Sequence, residues 1–172
     1  AASRLAMAAV LVVPFLSACG NGGFRPLYGS AGVGANADAR LAKVSVTTIP
    51  GRVGQQIRNE VIFHATGGGG EAVNPELRLD VAIRESVTST LVQVDGDAGS
   101  QIYSVEAKFQ LIRVSDKQVV LSGTSFGRAV FERNLSIFSN VRAREDAENR
   151  AAKVVGEDLK ARLSAYLAGS AA

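Results

Sequence analysis

The chain has 172 residues, 19 Lys+Arg against 16 Asp+Glu, a single histidine and a single cysteine. A formal charge of +3 is too small to argue for a nucleic-acid partner, and one thiol rules out an internal disulfide. The length suits one domain, which can bury about two-thirds of its unfolded surface without covalent staples.

The first element is "MAAVLVVPFLSACGNG", Met7 to Gly22. Arg4 supplies a short positive region and Leu5 to Phe15 is apolar apart from small residues and Pro14, the length of a signal-peptide core. It falls short of the ~20 residues that span a bilayer. Leu16-Ser17-Ala18-Cys19 resembles the lipobox of bacterial lipoproteins. That resemblance implies a signal peptide over residues 1–18, cleavage before Cys19, a diacylglyceryl group on its thiol and an acyl chain on the new N-terminus. Several acyl chains anchor a protein stably where one does not. Gly20, in place of Asp, implies by the sorting rule of enteric bacteria the outer membrane, with the chain on its periplasmic side.

Residues 19–40 read as a lipidated tether, rich in glycine up to Asn36. Phe24-Arg25-Pro26-Leu27-Tyr28 interrupts it with side chains that a flexible spacer has no use for, so this segment is expected to dock on its own domain or on a partner. A single domain is expected over 41–172. Leu41 to Thr48 alternates and predicts a first strand, with Val44, Val46 and Thr48 on one face. In "RVGQQIRNEVIFHAT" Val53, Ile57 and Val61 recur every fourth residue, which predicts a helix ending at Gly67 to Gly70. No Lys-Ser/Thr follows those glycines, so they do not make a phosphate loop.

Three strands follow. Leu77, Leu79, Val81 and Ile83 alternate with Arg78, Asp80 and Arg84; Tyr103, Val105, Ala107, Phe109 and Leu111 repeat the pattern; Val119 to Phe131 returns after a turn at Ser115 to Gln118. Asp95 to Gly99 joins the first two. Such alternation means one covered face and one that is wet or occupied by a partner. Val141 to Ala168 predicts a long helix capped by Ser139 or Asn140, with Ala147, Ala151, Val154, Val155, Leu159, Leu163, Tyr166 and Leu167 as its apolar stripe. The order β-α-β-β-β-α predicts an α+β domain: a small mixed or antiparallel sheet of about four strands with two helices on one face.

The catalytic inventory is thin. His64 ends the first helix, where a lone histidine reads as a surface or capping residue. There is no Cys/His metal cluster and no Gly-x-Ser-x-Gly elbow, and after the Asp95/Asp97 pair Gly99 and Ser100 stand where a calcium loop needs an oxygen ligand and then a glycine. An enzyme is not expected, and neither a metal nor a cofactor.

"CGNGGFRPLYG", Cys19 to Gly29, resembles the Cys-Gly-Phe-Arg-Pro-Leu-Tyr-Gly opening of the alphaproteobacterial LptE family of lipopolysaccharide-assembly lipoproteins, with Asn21-Gly22-Gly23 inserted. "GRVGQQIRNEVIF", Gly51 to Phe63, resembles the family's first helix; Gly123-Thr124-Ser125 and the segment from Phe138 to Leu167, with Ala143, Ala147, Arg150 and Ala151, resemble its last strand and terminal helix. The resemblance implies a non-enzymatic partner of the β-barrel LptD that plugs it from the periplasmic side and assists lipopolysaccharide transport to the outer leaflet. Lipopolysaccharide carries phosphates and carboxylates, which arginine holds by bidentate, charge-assisted hydrogen bonds. Arg84, Lys108, Arg128 and Arg133 are the candidates for that contact; a solvated face or a contact with LptD is the plainer reading of each. An auxiliary lipoprotein of a lipid-transporting ABC system, or a lipoprotein inhibitor of a periplasmic hydrolase, remains an alternative that the residues alone leave open.

Overall fold

A computed structural model describes residues 33–92, 98–133 and 135–170. In chain order its elements are α1 (Val33–Leu41), β1 (Val44–Val46), α2 (Gly51–Thr66), β2 (Leu77–Val92), β3 (Ala98–Arg113), β4 (Val119–Glu132) and α3 (Ile137–Gly169). One mixed sheet has the order β1-β2-β3-β4, with β1 parallel to β2 and the other pairs antiparallel. This is the expected α+β class, with three helices rather than two.

The added helix is α1. It lies almost wholly inside the stretch read as tether, where glycine and alanine hide a short helix that buries Ala37 and Leu41. Arg40 fastens it by donating from Nη1 to the Leu167 carbonyl (2.8 Å) and Ser170 Oγ (2.9 Å) at the end of α3. With Leu41 taken into α1, the first strand shortens from the expected 41–48 to three residues.

The phase of the three long strands is as expected. In register, Val81 faces Phe109, Ile83 faces Ala107, and Ala129 faces Tyr103. These odd-numbered residues point to the helices, and Leu79, Val81, Tyr103, Val105, Ala107, Phe109 and Leu111 are buried. α2 contributes Val53, Ile57 and Val61, and Gly67 ends it in the left-handed region (φ 64°), with Gly68 N–H donating back to the Phe63 carbonyl. The Ser115–Gln118 turn is present, with Arg113 N–H donating to the Gln118 carbonyl and Lys117 at φ 58°.

α3 is the longest element. Its cap is Ser136, whose side chain accepts from Ser139 N–H, so the helix starts before the expected Ser139 or Asn140. Ala147, Ala151, Val155, Leu159, Leu163 and Leu167, spaced by four, form its buried face; Val154, expected in that stripe, falls on the far side and is exposed. Each buried leucine contributes roughly 1.5–3 kcal/mol of transfer free energy. The helix sits close to the sheet because the middle inner positions of β4 are small: Gly123, Ser125, Gly127 and Ala129. A β-carbon at Gly127 would stand 2.2 Å from the Ala151 carbonyl oxygen.

Candidate functional site: the open face of the sheet

Among the described residues all helices lie on one side, so the even-numbered residues of β2, β3 and β4 form a face with no described layer above it. Arg84 of β2, Glu106 of β3 and Phe126 of β4 stand in one row across the sheet. The next row toward the β2–β3 loop holds Ser86, Ser104 and Arg128, and the row on the other side holds Ala82, Lys108 and Thr124. Beyond Arg128, Thr88, Ile102 and Val130 close the array. Side chains directly across from each other on one face are ~5 Å apart at Cβ, and diagonal neighbours ~7–8 Å, within reach of one ligand.

Three of the four predicted cations, Arg84, Lys108 and Arg128, are therefore brought together around Glu106. Lys108 Nζ lies 3.7 Å from Glu106 Oε1, a loose and exposed pair. Among the described residues no carboxylate comes within ion-pair distance of Arg84 or Arg128. Arg84, Ser86, Ile102, Ser104, Phe126 and Arg128 help line a depression of ≈ 370 Å³. A second, of ≈ 600 Å³, continues along the sheet past Lys108, Thr124 and Asp80 toward Thr47. Arg133 lies past the end of β4, its N–H donating to the Gly99 carbonyl, and takes no part in either depression.

The apolar members of this face had not been singled out from the sequence. Phe126 and Val130 are 58% and 52% exposed. The signal was available: both are large apolar residues out of phase with the inward set of β4. Such residues among cations suit a ligand with anionic and hydrocarbon parts. Arginine supplies the planar fork for phosphate or carboxylate, and the phenyl ring and branched side chains take the apolar part.

At the inner edge of the same rows, Tyr103 donates its hydroxyl to Glu85 Oε2 at 2.7 Å. Burial first, then this hydrogen bond and the nearby charges of Glu85 and Glu148, push the phenol well above its ordinary range, against an opposing effect of Arg144. Glu148 in turn ties two helices together, accepting from Arg52 of α2 and, at 2.9 Å, from Arg144 Nε of α3. Burial raises its pKa, but the two arginines outweigh that and hold the carboxyl below its usual value. Both groups support the sheet from beneath.

His64 stands on α2 with Nε2 3.2 Å from Glu60 Oε1 and its ring edge-on to Phe63. Cys19, the Phe24-Arg25-Pro26-Leu27-Tyr28 segment and Asp95/Asp97 lie outside the described residues. Among the described residues, no three of His, Cys, Asp and Glu cluster as a metal site and no helix is long and apolar enough to cross a membrane.

No protein-family model matches the chain, and no curated protein matches it by sequence. Solved structures do. A protein of Caulobacter crescentus CB15 assigned as a lipoprotein superposes with a TM-score of 0.66 at 15% identity, over 78% of this chain and 98% of that one. A minor lipoprotein from Acinetobacter baumannii superposes at 0.54 and 9% identity, over 72% and 92%. The fold is shared with bacterial lipoproteins.

Proposed function

We propose that this chain is an envelope lipoprotein of the LptE type, anchored through Cys19 to the outer membrane, that plugs and supports an LptD β-barrel and assists lipopolysaccharide transport. The observation that carries the reading is the open sheet face, where Arg84, Lys108 and Arg128 surround Glu106 beside exposed Phe126. An anionic glycolipid presents both phosphates and hydrocarbon, and this face offers a site for each. The lipobox at Cys19, the Phe-Arg-Pro-Leu-Tyr-Gly motif after it and a fold shared with bacterial lipoproteins support the same reading.

The test is lipopolysaccharide capture by the purified full chain. Arg84→Glu with Arg128→Glu is expected to lower binding and flatten its salt dependence, since fewer charged contacts leave less to screen. Arg→Lys at both is expected to do partial damage, keeping charge but losing the planar fork. Arg133→Glu, outside the depressions, is expected to change little. Normal binding by the double Glu variant would overturn the assignment of this face.

A further inference from the structure

β1 covers only Leu77 to Leu79 of its neighbour, whereas β2 runs on to Val92. The outer edge of β1 is closed by side chains: Arg58 Nε donates to the Val46 carbonyl (3.0 Å) and Val46 N–H donates to Glu71 Oε1 (3.3 Å). At the opposite side of the sheet, Arg150 of α3 donates to the Val130 carbonyl and so covers part of the β4 edge. From Asp80 onward, β2 has no such cover among the described residues. Every residue from Arg84 to Thr90 is exposed, whichever face it points to.

The hydrogen-bond phase of that edge is set by β1. Thr47 N–H donates to the Leu79 carbonyl, so odd-numbered residues of β2 direct their main-chain groups to this side and even-numbered ones pair with β3. Val81, Ile83, Glu85 and Val87 therefore present a row of open donors and acceptors. A long edge of β-branched residues without proline is a template for another strand.

A second copy of the chain fits this row poorly. β2 is regular from Asp80 to Ser89, before the irregularity at Leu91. Twofold antiparallel pairing centred on that run sets either Arg84 opposite Arg84 or Glu85 opposite Glu85, and like charges directly opposite are destabilising. The tether fits no better, because residues 19–36 hold no carboxylate to set beside Arg84. Arg84 has no carboxylate partner among the described residues, since Glu106 across from it is 3.7 Å from Lys108. We propose that the open edge of β2 receives an extended strand from another protein, one alternating apolar and polar residues with a carboxylate placed beside Arg84. Its apolar residues would extend the inner row of Val81, Ile83 and Val87. The strand would occupy the sheet edge and glycolipid the open face, with Arg84 at the border of both.

The probe is a synthetic peptide of about ten residues, the length of a strand, alternating valine and threonine with one central glutamate, added to the full ¹⁵N-labelled chain. Amide exchange at Val81, Ile83, Glu85 and Val87 is expected to slow by at least about tenfold, with even-numbered amides of β2 unchanged. Val87→Pro removes a donor only from the open side and is expected to abolish the slowing while the even amides stay protected. A lysine-centred peptide is expected to bind the native chain less well and Arg84→Glu better, a comparison that stands even if the proline variant fails to fold. Odd amides that exchange equally fast with and without the glutamate peptide would overturn the proposal. So would protection that appears without peptide and rises with protein concentration, since a second copy would then hold the edge.

Discussion

Gly127 of β4 lies so close beneath Ala151 of α3 that a β-carbon there would stand 2.2 Å from the Ala151 carbonyl oxygen and 3.0 Å from Val155 Cγ2. Main chain meets main chain at this point, and the long helix is seated on the sheet through it. Gly127→Ala must push the helix away, because the obstructing atom is backbone and cannot rotate aside. The expected cost is about 1–3 kcal/mol, as for overpacked cores, or about 2–4 °C of melting temperature per kcal/mol for a domain of this size. Gly70→Ala, at a position with nothing within 4 Å, is the control and is expected to leave the melting temperature nearly unchanged.

Glu148 makes the fold sensitive to acid. Its folded pKa lies below the ordinary 4.5, so the unfolded chain binds the proton more readily. Its contribution is fully present above about pH 4.5 and is lost as pH falls through the lower folded value. Urea denaturation at a series of pH values is expected to show that loss in the native chain and a flatter acid limb in Glu148→Gln. The variant is also expected to lose roughly 1–3 kcal/mol at neutral pH, as when charge-assisted hydrogen bonds are weakened.

Tyr103 gives the opposite, alkaline signature. A phenol whose folded pKa is raised stabilises the native state below the unfolded value of about 10, and that stability is lost as pH rises beyond it. Ultraviolet titration of the native chain is expected to leave Tyr103 un-ionised at pH 11, with its absorbance recovered on unfolding. Tyr103→Phe is expected to lower the absorbance recovered on unfolding by that of one tyrosine. The lost hydrogen bond to Glu85 is expected to cost about 0.5–1.5 kcal/mol.

The sheet was legible in the sequence because period-2 alternation in β2 and β3 states which face is buried, and the register bears it out from Leu77/Arg113 to Thr88/Ile102. α2 was legible from Val53, Ile57 and Val61 for the same kind of reason. α1 was not, since among its described side chains Ala37 and Leu41 make no visible period and its attachment depends on Arg40 reaching residues more than a hundred positions away. The start of α3 was missed because Ile137 and Phe138 are 82% and 69% exposed. A stripe drawn from buried residues therefore begins too late. At the candidate site, alternation placed Arg84 and Lys108 on the outer face. Only the β3–β4 register shows that Arg128 joins them and Arg133 does not. Phe126 and Val130 gain meaning there because, among the described residues, no helix covers them.

The most direct measurement is purification of the lipidated full chain from membranes in mild detergent, with its stoichiometric companion identified by peptide mass spectrometry. The account predicts a large β-barrel of the LptD kind in a one-to-one complex, retained when Arg84 and Arg128 are both changed to Glu if the glycolipid face is separate from the plug surface. An ABC transporter complex or a secreted hydrolase as the companion, with no barrel present, would contradict it.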